Sequence, residues 1–493
     1  MTLFSTETGR SPDGELLASR LFELPHIGSC SMTIRTHIIG QSFTSAPRAE
    51  TADLLEAATK AHRYIERFRV SGPDGCYWVD TPDAEPDLGF ENGAAGIAYF
   101  YLALFESTNN SDYGRLSSEG FRYIRRHWRK QLRIRHPYAN QHFELNVNSG
   151  IGSIASALIT HYEATKEAAS LAVLREIADY FADAAERNKG DVRWTGLPYY
   201  ALGDSGIALL LLRMAIALND ESLRSLAIAS AKTIVNSQTA SPRGGKSWDV
   251  KPDGYPYSFP NFVIGTAGIG YAMSVFYDYT QDEAFLFSAK SAADYLHALI
   301  VPLDEGALVP LMDDPQDRTF YLGACHGAAG TSKLIYQLYI MTGESRYKRT
   351  IEEMSQGILG LGAPEVQSSG YWNNTCVCCG TAAILQLYIA WYMVFGNRQY
   401  LDVAIRCAQV LLGEAEEVGN GAIAWPLAET RLEPDTITLN KGYMHGSAGI
   451  ANTLLQLYQV LNGSVHWHRL MDDPYPEHFE PNRTRGDSNE PAH

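Results

Sequence analysis

The stretch Asn92-Gly93-Ala94-Ala95-Gly96 is the first of seven similar glycine phrases, and their spacing decides the fold. Each phrase opens an apolar, helix-like run. The phrases are anchored at Gly93, Gly150, Gly206, Gly265, Gly327, Gly380 and Gly446, at intervals of 57, 56, 59, 62, 53 and 66 residues. A period of this size holds two helices and their connections. The sequence therefore predicts seven repeats of a helix pair.

The runs alternate between nearly all-apolar and amphipathic patterns. The run Ile450–Leu461 is mostly apolar, whereas Leu401, Ala404 and Ala408 lie at helical spacing on one face only. An all-apolar helix must be buried on all sides, and an amphipathic helix can cover it. We therefore predict an all-α fold, an α/α toroid of seven inner and seven outer helices. Ala52–Phe68 is expected to be the outer partner of the first inner run.

The repeats delimit one body. Residues 1–50 show no sustained hydrophobic period and are expected to form an N-terminal extension. Residues 51–464 carry the toroid, and residues 465–493 are polar and rich in proline, as expected of a surface tail. The phrase glycines are expected to allow close backbone approach near the crowded axis.

The composition disfavours several functional classes. Its 40 basic and 56 acidic residues give a net charge of −16, which disfavours binding to nucleic acid or anionic membranes. No apolar run approaches the length of a membrane span, and Met1–Arg10 lacks the pattern of a secretory signal. Three of the seven cysteines crowd into Cys376–Cys379, which fits metal ligation in a reducing compartment. We therefore expect a cytoplasmic protein with no nucleic-acid partner and no membrane span.

Three cysteines occupy equivalent positions in adjacent repeats. Cys325 and Cys378 stand two residues before their phrase glycines, and Cys379 stands one residue before its glycine. In a toroid these positions lie on one rim, at the N-termini of inner helices. Three protein ligands with one open position describe a catalytic zinc, and thiolates favour zinc over magnesium or calcium. We predict that these three cysteines bind Zn²⁺; Cys376 is a rival ligand, and simple burial as small apolar side chains is the alternative.

Three further residues are candidates for proton transfer. His326 and His445 each precede a phrase glycine, which places them on the same rim as the cysteines. His326 directly follows a proposed ligand and could also bind the metal or cap its helix, and His445 could be structural. Asp204, two residues before Gly206, could act as an acid or base or only cap its helix. We predict His445, His326 and Asp204, in that order, as catalytic residues.

These residues resemble a known family. Ala324-Cys325-His326-Gly327 and Cys378-Cys379-Gly380 are similar to the fifth-repeat and sixth-repeat signatures of the lanthionine synthetase C-like family, the cyclases of lanthipeptide biosynthesis. The resemblance covers about residues 52–461. It implies an α/α toroid with zinc near its axis, held by the same three cysteines.

The chain departs from the family at four positions. Ala324 stands where the fifth-repeat signature has a tryptophan. Ile264 stands where a histidine proposed as acid or base is usual, and Tyr321 stands where an arginine is usual. The aspartate of the third repeat usually stands four residues before the glycine, at the position of Leu202, so Asp204 does not match it. The resemblance therefore implies metal binding more directly than it implies the usual proton-transfer residues.

The family resemblance implies an enzyme that adds cysteine thiolates to dehydroalanine or dehydrobutyrine residues of a precursor peptide, forming lanthionine or methyllanthionine. Residues 1–50 are too short for a dehydratase or kinase domain. We therefore expect a stand-alone cyclase of antibiotic-type peptide biosynthesis. Its substrate would be a peptide already dehydrated by a separate dehydratase or kinase/lyase enzyme.

Three alternatives remain open. The chain could bind zinc and a peptide without cyclase activity, as a subunit of a modification complex. It could add glutathione to dehydroamino acids. It could also be another toroid enzyme, either carbohydrate-active or prenyl-transferring. No pair of rim carboxylates supports the sugar reaction, and the adjacent Cys378 and Cys379 argue against the mixed Asp/Cys/His site of prenyl transfer.

Overall fold

Fourteen α-helices make up most of this computed structural model, which describes residues 51–81, 83–133, 143–251 and 256–475. Seven helices of equal length begin in or directly after a glycine phrase: α2 (Ala94–Thr108), α4 (Ile151–Thr165), α6 (Asp204–Leu218), α8 (Thr266–Thr280), α10 (Ala328–Thr342), α12 (Thr381–Phe395) and α14 (Ser447–Leu461). The other seven are α1 (Thr51–Ile65), α3 (Ser111–His127), α5 (Ala169–Ala184), α7 (Glu221–Asn236), α9 (Glu283–Leu299), α11 (Ser345–Gly360) and α13 (Arg398–Glu414). The predicted extension over residues 1–50 lies outside the described residues.

The apolar helices form a closed inner ring. Each contacts the next one along the chain, and α14 contacts α2, so this ring has no free edge. Burial follows the sequence pattern, because α12 is buried along most of its length. By contrast, α3 buries one face, which includes Tyr113, Leu116 and Ile124. The predicted all-α toroid of seven inner and seven outer helices is confirmed.

The first helix covers the last repeat. In the other six pairs the outer helix packs on the inner helix that precedes it in the chain, whereas α1 packs chiefly on α14. The prediction that Ala52–Phe68 partners the first inner run was therefore wrong. No helix follows α14 in the described chain, so α1 supplies its outer cover. Arg67, just after α1, donates a hydrogen bond to the carbonyl of Val418 at 2.9 Å and so joins the first and last repeats.

Six short antiparallel hairpins lie between an outer helix and the next inner helix in the described chain. They are β1 (Arg69–Gly72) with β2 (Gly75–Trp78), β3 (Glu186–Asn188) with β4 (Asp191–Arg193), β5 (Thr239–Ala240) with β6 (Lys246–Ser247), β7 (Val301–Pro302) with β8 (Ala307–Leu308), β9 (Glu416–Glu417) with β10 (Ile423–Ala424), and β11 (Pro426–Ala428) with β12 (Ile437–Leu439). Three short 3-10 helices span Glu66–Phe68, Trp128–Arg133 and Phe143–Leu145. These elements bring the chain back to the rim where each inner helix begins.

Main-chain hydrogen bonds tie the segments before the inner helices into what we call the rim belt. Its amides donate to carbonyls at 2.7 to 3.2 Å in this order: Val147 to Ala201, Ala201 to Val263, Val263 to Cys325, Cys325 to Cys378, Cys378 to Met444, and Met444 to Glu91. Each residue after Val147 in this series stands two positions before the glycine that caps its helix. The rim belt therefore sets equivalent repeat positions side by side.

In the third repeat, the glycine that caps the inner helix is not the one used to align the seven glycine phrases. α6 begins at Asp204 and its N-cap is Gly203, so Gly206 lies within the first turn. The phrase alignment was therefore displaced by three residues in this repeat. The residue equivalent to the rim histidines is Leu202, and Asp204 already belongs to the helix.

Residues 465–475 pack within the inner ring. The hydroxyl of Tyr99 on α2 donates to the carbonyl of His468 at 2.6 Å, and Lys333 on α10 forms an ion pair with Asp472 at 2.5 Å. The buried side chains of this segment are Val465, Trp467, Met471 and Tyr475. The prediction that residues 465–475 belong to a surface tail was therefore wrong. Apolar side chains lie among the polar ones in this segment, and the segment contacts several inner helices. Residues 476–493 lie outside the described residues.

Within the described ranges, no helix combines the length and apolar character needed to cross a bilayer.

Replacing Gly268 by alanine is expected to destabilise the fold. A Cβ at this position would lie 1.8 Å from the carbonyl oxygen of Phe262, because the segment before α8 crosses its first turn there. Overpacking of this kind typically costs about 1–3 kcal/mol. Urea unfolding followed by circular dichroism measures the change.

Gly413→Ala is the matched control. A Cβ at this exposed position of α13 meets nothing within 4 Å. Because alanine is the better helix former, this variant should gain up to about 1 kcal/mol. Equal stability of the two variants would contradict the close crossing at Gly268.

Candidate metal centre and its cavity

The sulfurs of Cys325, Cys378 and Cys379 meet at the rim. All three Sγ atoms lie within 4.8 Å of one another, with Cys325 and Cys379 at 2.9 Å and Cys378 and Cys379 at 3.4 Å. The rim belt brings them together, because the amide of Cys325 donates to the carbonyl of Cys378. Gly323 permits this approach, since a Cβ there would lie 2.4 Å from the Cα of Cys379. It is the one cluster of three potential metal ligands found among the described residues.

This donor set suits zinc. Zn–S bonds of about 2.3 Å in a tetrahedral site set the sulfurs about 3.8 Å apart, so the pairs at 2.9 Å and 3.4 Å would separate by less than about 1 Å to hold the ion. The ligands lie just before the N-termini of α10 and α12, where the helix dipole favours negative charge. Hydrogen bonds from Cys378 and Cys379 hold the pKa of Cys325 well below its usual range. The hydrogen bond with Cys325 raises the pKa of Cys378, and hydrogen bonds with Cys325 and Cys378 raise the pKa of Cys379, so the three sulfurs share their protons unequally. The three predicted ligands lie together and could hold a zinc ion, which would displace these protons.

Cys376 is not part of the cluster. Its buried sulfur accepts a hydrogen bond from the amide of Cys379 at 3.4 Å. Burial raises the pKa of its thiol, which disfavours the thiolate form. The rival ligand of the sequence analysis thus supports the Cys378–Cys379 turn and does not line the cavity.

His445 stands against the cluster from the seventh repeat. Its Nδ1 lies 3.2 Å from Nδ2 of Asn92 and 3.6 Å from a carboxylate oxygen of Glu91. Burial lowers the pKa of His445, but the hydrogen bond and charge of Cys378, together with Glu91, outweigh burial and raise the pKa to about 9. The imidazole is therefore held between a carboxylate and a proposed metal ligand.

His326 lies on the aromatic side of the same cavity. Its ring centroid is 5.9 Å from that of Phe259 and 5.8 Å from that of Tyr321. Burial lowers the pKa of His326 to about 4, although the charge of Cys378 opposes this shift. His326 is therefore a neutral imidazole near neutral pH and a poor proton donor.

The structure does not bring Asp204 to the site. The side chain is buried, and its Oδ1 accepts hydrogen bonds from the amides of Trp194 at 3.0 Å and Thr195 at 2.8 Å. The hydroxyl of Thr195 donates a third bond at 3.0 Å. Burial raises the pKa of Asp204, and these bonds oppose the rise. Asp204 therefore fixes the connection after β4 and is absent from the cavity wall.

Two rim residues were missed by the sequence reasoning. Glu91 and Asn148 each stand two residues before a cap glycine, as the cysteines Cys325 and Cys378 do. Burial raises the pKa of Glu91, while His445 and a hydrogen bond from Asn148 lower it. Extending the cysteine alignment to all seven phrases would have found both residues.

The cluster opens into a cavity of about 650 Å³. Tyr321 and Trp372 form part of its wall, with ring centroids 5.2 Å apart. Arg431 enters from the loop between β11 and β12, and its guanidinium opposes the rise that burial causes in the pKa of Tyr321. The segment 465–475 lines the opposite end. Arg431 belongs to no repeat position, so the phrase alignment could not have found it.

Comparisons with known proteins relate this chain to one family and one fold. The sequence profile of a family described as "Lanthionine synthetase C-like protein" matches residues 141–360. "Glutathione S-transferase LANCL1" of Danio rerio is 27% identical over 161 residues, which cover 30% of this chain and 33% of that protein. This chain therefore matches about a third of that relative's length. The solved structure of "Nisin cyclase" is similar with a TM-score of 0.56 and 12% identity, covering 83% of this chain and 94% of that chain.

The resemblance to the lanthionine synthetase C-like family is confirmed.

The family match covers a shorter part of the chain than the structural similarity to nisin cyclase does. The matched stretch ends with α11 and includes Cys325 and His326. Because the sequence identity to nisin cyclase is low, that structure is evidence for the fold alone, over 83% of this chain. The matched stretch does not reach Cys378 and Cys379, so their place in the candidate metal centre depends on the geometry described above.

We expect the purified protein to contain about one zinc ion per chain. Cys325→Ala should lose most of it, because the cluster would keep two of its three sulfurs. Cys376→Ala is the matched control, as it removes a buried cysteine of the same rim that lies outside the cluster. Elemental analysis of the purified variants measures the content. Zinc retained in Cys325→Ala and lost in Cys376→Ala would overturn the ligand assignment.

Asp204→Ala is expected to destabilise the protein without removing its metal. The amides of Trp194 and Thr195 would lose a buried acceptor, which typically costs about 1–3 kcal/mol. Urea unfolding and zinc analysis of the same preparation separate the two effects. Wild-type stability together with loss of activity would instead return Asp204 to the catalytic residues.

Proposed function

We propose that this protein is a zinc-dependent cyclase that forms lanthionine and methyllanthionine in a precursor peptide. It would add cysteine thiolates to dehydroalanine or dehydrobutyrine residues. The observation that supports this most is the convergence of Cys325, Cys378 and Cys379 at the wall of a cavity of about 650 Å³. The family resemblance and the fold shared with nisin cyclase favour this reaction over the other toroid chemistries.

The three cysteines provide the site for activating the substrate thiol. When bound, zinc supplies the stabilisation that keeps a cysteine sulfur as thiolate at neutral pH, where a free cysteine is mostly protonated. Three thiolate ligands place more negative charge at the site than a set containing histidine would. The substrate sulfur would therefore be held less tightly at the site and would stay more nucleophilic.

The addition needs one proton transfer to carbon. The sulfur forms a bond to the β-carbon, and the alkene electron pair moves toward the carbonyl to give an enolate. The α-carbon then takes a proton, so the product has the same mass as the substrate. The proton lost by the incoming thiol balances this step, and no oxidant or reductant is required.

His445 is the side chain best placed to move this proton. Glu91 and Asn92 hold its Nδ1, and the ring lies against Cys378. His326 is held neutral, with a pKa of about 4, and is the weaker donor. Ile264 is buried and carries no ionisable group, so the fourth repeat supplies none.

The proposal defines the partners of the protein. Its substrate would be a peptide dehydrated beforehand by a separate dehydratase or kinase/lyase enzyme. Both the thiolate ligands and the reaction favour a reducing, cytoplasmic setting.

A second candidate reaction is favoured by the relative LANCL1, whose name is that of a glutathione S-transferase. The same cluster could hold the thiolate of glutathione and add it to a dehydroamino acid. The two reactions differ in mass, because cyclisation leaves the peptide mass unchanged and glutathione addition increases it.

The test is to mix the zinc-loaded protein with a dehydrated, cysteine-containing peptide, with and without glutathione. Loss of alkylatable peptide thiol at constant mass is the expected result. A product heavier by glutathione would favour the second reaction. If neither the peptide thiol nor glutathione forms a product, the result would favour a zinc-binding protein without cyclase activity.

His445→Ala is expected to keep its zinc but to slow cyclisation by about 10²-fold or more, the usual effect of losing a general acid or base. His297→Ala is the control, since this histidine is bonded to Thr350 in the outer ring. His326→Ala tests the neighbouring imidazole. A wild-type rate for His445→Ala would transfer the proton step to His326 or to solvent.

A further inference from the structure

Two lysine or arginine side chains are found among the described residues that line the cavity, and they differ in their partners. Lys333 is bound to Asp472 at 2.5 Å, so its charge is compensated at the end of the cavity formed by residues 465–475. Arg431 forms no ion pair with any described carboxylate, and its Nε is buried without a hydrogen-bond partner in the described chain. Arg431 therefore brings to the cavity wall a positive charge that no described carboxylate neutralises, and such a partly buried charge is costly unless a ligand pairs with it.

The position of Arg431 is fixed by the segment that carries the metal ligands. The carbonyl of Ala428, at the end of β11, accepts hydrogen bonds from Nε1 of Trp372 at 2.9 Å and Nδ2 of Asn374 at 3.0 Å. The amide of Ala428 donates to the carbonyl of Asn373 at 2.9 Å. These bonds join the Arg431 loop to the chain just before the Cys378–Cys379 turn.

The loop itself is closed by local bonds. The hydroxyl of Thr430 accepts from the amide of Leu432 at 3.1 Å, and its carbonyl accepts from the amide of Glu433 at 3.3 Å. The guanidinium of Arg431 lies near Tyr321, where it opposes the rise that burial causes in the pKa of the phenol; the charges of Cys325 and Cys379 act on the same phenol. Tyr321 therefore stands between the cysteine cluster and the arginine.

We propose that Arg431, assisted by Tyr321, binds the carbonyl oxygen of the dehydroamino acid and stabilises the enolate formed during thiolate addition. This inference rests on the proposed cyclase function. In the step, the bond from sulfur to the β-carbon forms and the alkene pair passes to the carbonyl oxygen. The guanidinium of Arg431 at the cavity wall would pair with the new negative charge until the α-carbon takes its proton.

The chemistry of the site needs such a group. Three cysteine thiolates around a divalent ion would leave a net negative charge, which would repel a developing oxyanion. Fixed donors aimed at the charge that develops are typically the largest contribution to stabilising such an intermediate. Arg431 is the cation at this end of the cavity whose charge no described carboxylate neutralises.

The first test compares Arg431→Ala with the wild type in the cyclisation assay. We expect kcat to fall by about 10²–10³-fold, with KM changed much less, because the contact strengthens as the charge develops. Zinc content should stay at the wild-type value, since Arg431 is not a ligand. Glu433→Ala is the control, as it changes an exposed residue of the same loop.

Chemical rescue separates a role in binding charge from a role in holding the loop. Guanidinium ion added to Arg431→Ala should restore part of the rate, and Arg431→Lys should retain an intermediate rate. Tyr321→Phe should show a smaller loss of kcat than Arg431→Ala.

The outcomes distinguish this inference from the proposed function. A wild-type protein that forms no thioether would defeat the cyclase proposal itself. Cyclisation by Arg431→Ala at the wild-type rate would defeat only the role of Arg431. Loss of rate without rescue by guanidinium, accompanied by loss of zinc, would show that the residue is structural.

Discussion

The rim belt is the interaction on which the site depends. Its main-chain hydrogen bonds connect residues that are more than fifty positions apart in the sequence, such as Cys325 and Cys378. Since the bonded residues hold the same place before successive inner helices, whatever side chains stand there face one another. The close crossings at glycines such as Gly268 let the belt lie directly on the first turns of the inner ring. Packing at the axis and assembly of the metal centre are thus parts of one constraint.

The belt also sets the electrostatics of the cavity. It concentrates Cys325, Cys378 and Glu91 on one side, and places His445 between the carboxylate and the sulfurs. With its cysteines as thiolates, such a site would favour a divalent cation and disfavour an oxyanion. The cation that offsets it, Arg431, comes from a hairpin loop and not from a repeat position. The centre is therefore built from the repeats, whereas its charge balance depends on a connection between them.

Part of the site could be read directly from the sequence, and the limits have identifiable causes. The prediction that Cys325 and Cys378 occupy equivalent positions was correct, because the glycine two residues after each of them is the N-cap of its helix. The same reasoning misplaced Asp204, because the third repeat has glycines at both the cap and the first turn and the alignment used the second. Glu91 was within reach of the same rule. Arg431 was not, because no periodic signal links a loop residue to the cluster.

The sequence by itself determined the number of helices, their alternation between buried and amphipathic types, and the three sulfurs of the proposed metal site. Local patterns suffice for these features, because the spacing of apolar residues indicates whether a helix is buried on all sides or on one face. Only the tertiary structure decided that α1 covers α14, that residues 465–475 enter the ring, and that Arg431 faces Tyr321. These depend on ring closure, which brings together segments whose local sequences carry no information about each other.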